Sequence, residues 1–123
     1  MIVDRVRFQY AVIRVVPRVD RGESMNAGVL IWCREREYLG ARAWLDHARL
    51  SALDPTADVD AVSRALTAAT DTNVDAAELS KRFVWLTAPR STVVQPGPVH
   101  TGMTDDPARE LDRLFTRLVL PTA

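Results

Sequence analysis

The chain has 123 residues, of which 47% are hydrophobic and 26% are charged, the composition of one ordinary globular domain. Its 16 basic residues balance its 16 acidic residues, so it lacks the general basic excess of most nucleic-acid-binding proteins, although a local basic patch is compatible with this balance. The single cysteine excludes an intramolecular disulfide and a cysteine metal cluster. We therefore expect a single domain over residues 1–123 with no cofactor, no metal and no nucleic-acid partner.

The start of the chain bears on localisation. The segment Met1–Arg7 has no hydrophobic block of the kind found in signal peptides. No apolar stretch approaches the roughly 18 residues of a membrane-spanning helix. A cytoplasmic location without membrane contact is the expectation.

Three strands are predicted first, because β-branched and aromatic residues cluster between polar breaks: Phe8–Val16, Met25–Arg34 and Tyr38–Leu45. Pro17 ends the first strand, and the polar run Arg34–Glu37 turns the chain after the second. Cys33 belongs to a continuous apolar run, so we expect it in the core. Connections this short favour antiparallel pairing, since parallel strands need crossovers of about a dozen residues or more.

Helical signals follow. A short helix is predicted over Asp46–Leu53, ended by Pro55 because proline disfavours a helical residue before it. The next helix is capped by Thr56 or Asp58, and its apolar residues recur at helical spacing: Val59, Val62, Leu66 and Ala69.

Two further helices are predicted. One begins at Asn73 or Asp75, although Phe83–Thr87 is also compatible with an extended strand. The last begins at Thr104 or Asp105 and carries a continuous apolar stripe: Leu111, Leu114, Phe115, Leu118 and Val119.

Residues 88–103 are predicted to form an ordered loop, because prolines and glycines recur along them. This loop contains one short predicted strand, Ser91–Gln95. The elements together predict a single-domain α+β fold, with an antiparallel sheet of three to five strands and three or four helices packed on it.

The segment Arg14–Gly28 contains several side chains that can hold an anion: Arg14, Arg18, Arg21, Glu23 and Asn26. Arg14 shares a strand face with apolar residues, so it must extend to solvent or pair with a carboxylate, for which Glu23 is the expected partner. Two interpretations stay open. The arginines and Asn26 surround an anion or nucleotide pocket, or the segment is a salt-bridged hairpin connection with a bulge near Gly28.

The segment Trp85–Thr104 is the second chemically dense stretch, with these candidate binding residues: Trp85, Arg90, Ser91, Thr92, Gln95, His100 and Thr101. The planar fork of Arg90 and the hydroxyl groups suit a phosphate, but the segment lacks the lysine of a phosphate-binding loop. The alternative is an ordered loop that packs Trp85 and covers a sheet edge. We predict no catalytic residue, because the sequence places no nucleophile and orienting group in a defined geometry beside His100.

Four blocks of the sequence resemble the bacterial family catalogued as domain of unknown function 3037 (DUF3037): Tyr10–Pro17, Arg21–Val29, Arg82–Pro96 and Val99–Gly102. The resemblance extends from about Phe8 to Val119, and Trp-Leu-Thr-Ala-Pro-Arg-Ser-Thr at Trp85–Thr92 is its most specific run. It implies a small bacterial protein with no established reaction. Similar proteins tend to be encoded beside HipA-like kinase proteins, which implies an accessory or partner role.

Three functions follow as hypotheses. The first is a non-catalytic accessory or protein-binding module, a candidate partner of a HipA-like kinase protein, which predicts an exposed apolar patch beside Trp85 or Pro96–His100. The second is a nucleotide- or phosphate-binding protein or enzyme whose pocket requires Arg14 and Arg90 to converge, together with Arg21, Asn26 and His100. The third is a structural homodimer.

Overall fold

The computed structural model describes residues 4–122, which form a five-stranded antiparallel sheet with helices on both faces. The strands are β1 (Val6–Val15), β2 (Met25–Cys33), β3 (Tyr38–Ala43), β4 (Val94–Pro96) and β5 (His100–Thr104). The helices are α1 (His47–Leu53), α2 (Val59–Ala69), α3 (Leu79–Leu86) and α4 (Pro107–Leu118), and a 3-10 turn at Ala76–Glu78 precedes α3. The predicted single-domain α+β fold is confirmed, and Phe83–Leu86 is helical rather than extended.

β1 is the central strand of the sheet. It pairs with β2 along one edge, while β4 and β5 share its other edge. β4 pairs with Ile13–Val15 and β5 pairs with Val6–Tyr10. Between these two stretches, the three residues Gly97–Val99 lie opposite only two residues of β1, Ala11 and Val12. The edge formed by β4 and β5 therefore contains a bulge.

Two sequence predictions for this edge were wrong. The strand predicted at Ser91–Gln95 lies instead at Val94–Pro96, and His100–Thr104, predicted as loop, is β5. β5 has the local sequence His-Thr-Gly-Met-Thr, which carries little intrinsic strand preference. It is a strand because the free edge of β1, nearly the whole chain length away, supplies its hydrogen-bonding partners.

The core is divided into two layers by the alternation of side chains along β1. Ile13 and Val15 face the layer of α1, α2 and α3, where they pack in one cluster with Leu50, Leu66 and Phe83. Val6 and Phe8 face the layer of α4. Residues of β2 enter both clusters, which explains why Val29–Cys33 is continuously apolar instead of alternating.

Aspartate side chains cap three of the helices, α1, α2 and α4: Asp46, Asp58 and Asp106. Each carboxylate accepts the backbone N–H of the residue three positions later, at 3.0 to 3.1 Å. The predicted caps of α4, Thr104 and Asp105, were wrong, because Pro107 occupies the first helical position and makes its predecessor the cap. Thr104 Oγ1 instead accepts the N–H of Asp106 at 3.1 Å.

The start of the third predicted helix also differs from expectation. Asp75 precedes the 3-10 turn, but its side chain makes no capping hydrogen bond. Asn73 donates its backbone N–H to Asp71 Oδ1 at 3.0 Å, so it belongs to the preceding connection. The 3-10 turn therefore leads into α3 without the side-chain cap that the sequence pattern predicts.

Candidate functional site

Three polar residues stand side by side on adjacent strands: Asn26 on β2, Arg14 on β1 and Gln95 on β4. Directly opposed residues of antiparallel strands point to the same face, which here is the face covered by α4. Asn26 Nδ2 donates to the carbonyl oxygen of Leu118 at 3.0 Å, at the end of α4. Gln95 Nε2 donates to the carbonyl oxygen of Thr92 at 2.6 Å. Both amides therefore hold backbone groups in place beside Arg14.

Arg14 is half-buried, and its guanidinium lies against Gly97, where an added Cβ would be 3.1 Å from Cζ of Arg14. The predicted pairing of Arg14 with Glu23 was wrong. Arg21 Nε donates to Glu23 Oε1 at 2.5 Å, and this hydrogen bond lowers the pKa of the Glu23 carboxyl. Arg21 and Glu23 meet because both are exposed in the β1–β2 connection, two residues apart, whereas Arg14 faces the α4 layer.

Trp85 is at the solvent side of the last turn of α3. The neighbouring residues Phe83 and Leu86 are buried, whereas Trp85 is 57% exposed and Val84 is 65% exposed. The Cζ atoms of Arg90 and Arg82 lie 4.4 Å and 5.5 Å from the centroid of the indole. We call this group, Arg82, Val84, Trp85 and Arg90, the Trp85 surface.

The hydroxyl-bearing residues after Arg90 bond within their own segment. Thr92 Oγ1 donates to the carbonyl oxygen of Val94 at 2.8 Å, and Ser91 is exposed beside it. The carbonyl oxygen of Val93 accepts the N–H of Val16 at 2.6 Å, which attaches the segment to the end of β1. These contacts give the segment one ordered shape.

His100 and Tyr10 are opposed across β5 and β1, with ring centroids 5.1 Å apart. Tyr10 also stacks on Phe8, at 6.0 Å between centroids. The ring of Phe8 covers Gly102, where an added Cβ would be 2.7 Å from Cζ of Phe8. These residues form an aromatic strip on the α4 face of the sheet. Thr101, the next residue along β5, contributes to the lining of a groove beside this strip.

Phe8, Tyr10 and Gly102 of this strip line a groove of about 570 Å³ between β5 and α4, which we call the α4–β5 groove. His100 lies beside the groove, with its ring against Tyr10. Arg5 is at its outer rim, where Nη2 donates to the carbonyl oxygen of Met103 at 3.0 Å. α4 supplies the opposite wall with Glu110, Arg113, Leu114, Arg117 and Leu118. Sequence reasoning did not identify this groove. The available signal was the recurrence of charged residues at spacings of three and four beside the apolar stripe of α4.

The predicted site residues therefore fall into separate places. Arg14, Asn26, Gln95 and His100 share the α4 face of the sheet. Trp85 and Arg90 belong to α3 and its end, in the opposite layer.

The predicted arginines of the β1–β2 connection are also apart from both groups. Arg21 forms an ion pair with Glu23, and Arg18 Nε is 3.8 Å from Asp54 Oδ1. The single pocket that would combine Arg14, Arg21 and Arg90 is not assembled in this structure.

Residues 4–122 also contain a larger cleft. A cleft of about 820 Å³ between the end of β3 and α2 includes Trp44, His47 and Arg64 in its lining. In this part of the chain, no group of three or more His, Cys, Asp or Glu side chains is placed to hold a metal ion. None of the helices in the same range has the length and apolarity needed to cross a bilayer.

Comparison with known proteins identifies a family for the chain. The family described as "Protein of unknown function (DUF3037)" matches residues 10–119, a range that extends from β1 to the end of α4. No curated protein and no solved structure matches the chain. The resemblance inferred from the four sequence blocks is confirmed, and the chain belongs to the DUF3037 family.

Proposed function

We propose that this protein is a non-catalytic accessory protein of the cytoplasm that binds another protein through the Trp85 surface. The observation that supports this function is the exposed indole of Trp85, with the guanidinium groups of Arg82 and Arg90 close to its ring. Val84 extends the apolar surface beside it. Adjacent large apolar side chains at a rim of charged groups are typical of protein-binding surfaces.

The Trp85 surface is ordered before any partner arrives. Arg90 Nη2 donates to the carbonyl oxygen of Trp85 at 2.7 Å, so the same residue contacts both the backbone and the ring. Ordering a mobile side chain during binding costs roughly 0.5–1.5 kcal/mol, and a pre-ordered side chain avoids part of that cost. Tryptophan and arginine are also the residue types that most often dominate binding energy.

The charges around Trp85 favour an acidic partner. The ion pairs within residues 4–122 do not include Arg82 or Arg90, and Lys81 Nζ is 3.9 Å from Glu78 Oε2. A shallow cleft of about 460 Å³ also adjoins the indole. We infer that the partner places an apolar side chain on Trp85 and carboxylates beside the two arginines, because guanidinium groups bind carboxylates with two parallel hydrogen bonds.

Position-specific photo-crosslinking in the native host tests this function. A photoreactive phenylalanine analogue replaces Val84, which is 65% exposed beside Trp85 and leaves the indole in place, and in a matched control it replaces Trp44, which is 40% exposed near the end of β3. We expect the probe at position 84 to join one dominant protein, with a HipA-like kinase protein as the first candidate, through a segment rich in aspartate and glutamate. The probe at position 44 should not join that protein. Equal labelling from both positions, or no adduct from position 84, would contradict the proposal.

The nucleotide or phosphate pocket is the lower-ranked hypothesis. It requires Arg14, Arg21, Asn26, Arg90 and His100 to surround one ligand. Arg90 is in the α3 layer and Arg21 is paired with Glu23, so these side chains do not converge. Protein binding therefore stays first among the proposed functions.

A further inference from the structure

The α4–β5 groove has a cationic rim. Arg5 is on one side, and Arg113 and Arg117 are on the other. Glu110 compensates Arg113, whose Nε donates to Glu110 Oε2 at 2.9 Å. The ion pairs within the described range of residues 4–122 do not include Arg5 or Arg117. The groove therefore retains positive charge across its width.

The floor of the same groove is apolar and aromatic. Phe8 is buried, Tyr10 is half-buried, and His100 at the adjoining edge is exposed with its ring against Tyr10. Leu114 and Leu118 continue the apolar surface onto α4. Aromatic faces of this kind stack planar rings, and a groove of about 570 Å³ has the size of many small-molecule sites, roughly 300–1,000 Å³.

We propose that the α4–β5 groove binds a nucleotide. Arg117 and Arg5 hold its phosphate groups, since guanidinium groups match phosphate oxygens with paired hydrogen bonds. The base stacks against His100 and Tyr10. An inorganic anion would leave the aromatic floor uncovered, and a neutral ring compound would leave the two arginines without a counter-charge. A nucleotide satisfies both parts of the groove.

This inference does not rest on the proposed protein-binding function. The groove is formed by α4 and the sheet edge, whereas the Trp85 surface belongs to α3 on the other face. Either site can be disabled without altering the residues of the other.

Isothermal titration calorimetry of the full chain with ADP, pyrophosphate and adenosine tests the proposal. Arg117→Ala removes a phosphate contact, and His100→Ala removes part of the stacking surface. Arg109→Ala is the matched control, because Arg109 is exposed on α4, does not line the groove and carries the same charge. All three side chains are exposed, so each variant should stay folded, which a thermal melt checks.

We expect ADP to bind more tightly than pyrophosphate, and adenosine to bind weakly. Arg117→Ala should weaken ADP and pyrophosphate binding by about tenfold or more, because hydrogen bonds to charged groups contribute roughly 1.5–3 kcal/mol. His100→Ala should weaken ADP binding alone, and Arg109→Ala should change neither. No ADP binding at millimolar concentration, equal losses for Arg109→Ala and Arg117→Ala, or ADP binding unaffected by His100→Ala would each overturn the proposal.

Discussion

The guanidinium carbon of Arg90 lies 4.4 Å from the centroid of the Trp85 indole, and Nη2 of the same arginine donates to the Trp85 carbonyl oxygen. Arg82 approaches the ring from one helical turn earlier, with its guanidinium carbon at 5.5 Å. The indole ring and the two guanidinium groups therefore lie together on one part of the surface. A partner that covers the indole must therefore also meet the arginines.

The first prediction concerns these charges. Arg90→Glu should weaken binding of the crosslinked partner by tenfold or more, because it places a carboxylate against an acidic segment. Arg49→Glu, a charge-matched change at an exposed position of α1, should have little effect. Calorimetric titration between about 50 and 300 mM NaCl checks both, since salt screens such contacts and should weaken the wild-type complex. A salt-independent affinity would contradict the acidic-partner assignment.

The second prediction concerns the cap of α4. Asp106→Ala should reduce the free energy of unfolding by about 1 kcal/mol, because it removes the carboxylate that accepts the N–H of Arg109. Asp105→Ala changes the same charge one residue earlier and should be nearly neutral. Urea denaturation measures both. Equal destabilisation would show that the loss comes from charge near the helix end rather than from the cap.

The third prediction concerns the close contact of Phe8 with Gly102. Gly102→Ala should destabilise the protein by roughly 1–3 kcal/mol, because the buried ring of Phe8 occupies the space that a Cβ needs. Gly97→Ala should cost less, since the nearest atoms belong to the end of the Arg14 side chain, which can move. Urea denaturation measures the free energy of unfolding of both variants. A smaller loss of this free energy for Gly102→Ala than for Gly97→Ala would contradict the packing of Phe8 against Gly102.

The fourth prediction concerns pH. Asp54 Oδ1 accepts hydrogen bonds from Oγ1 and the backbone N–H of Thr56, at 2.8 and 3.0 Å. These bonds, with a smaller contribution from Arg18, lower the pKa of the Asp54 carboxyl below its ordinary value of 3.8. Because the folded-state pKa is the lower one, the ionised carboxylate stabilises the fold above the ordinary pKa, and this contribution is lost as the pH falls through the folded-state pKa.

Asp54→Asn should therefore lower the melting temperature at pH 7, and the difference from the wild type should shrink at acid pH, below the ordinary pKa of 3.8. Thermal denaturation followed by circular dichroism at both pH values measures this. Asp58→Asn, which alters a cap at the next helix, is the comparison for general effects of removing a carboxylate. If the melting temperatures of the wild type and Asp54→Asn differ as much at acid pH as at neutral pH, the role assigned to the ionised Asp54 is contradicted.

The sequence predicts the helices and the central strands well, for identifiable reasons. The spacing of Val62 and Leu66 reports the buried face of α2 directly, and the unbroken run Val29–Cys33 reports a strand buried on both sides. The bulge expected near Gly28 is present, as a shift of register between β1 and β2 beside Ile13 and Arg14. Local patterns suffice where a residue's environment is set by its own element.

The candidate sites are less predictable, because their members are distant in sequence. Arg82 and Trp85 are neighbours by helical spacing, but Arg90 reaches the ring only after the chain has left α3. Tyr10 and Arg117 meet at the same groove only because β5 adds to the edge of β1 and α4 then packs over the sheet. The residue pattern within one helix or strand does not indicate which residues of other elements will lie beside it.

The most direct test of the central claim is the dissociation constant of the partner crosslinked from position 84. Calorimetry measures it for the wild type, Trp85→Ala and Trp44→Ala. A buried tryptophan at the centre of an interface contributes about 2 kcal/mol or more, which corresponds to about 30-fold in affinity. We expect a loss of this size for Trp85→Ala and a change within about twofold for Trp44→Ala. Equal affinities of the wild type and Trp85→Ala would contradict protein binding through this surface.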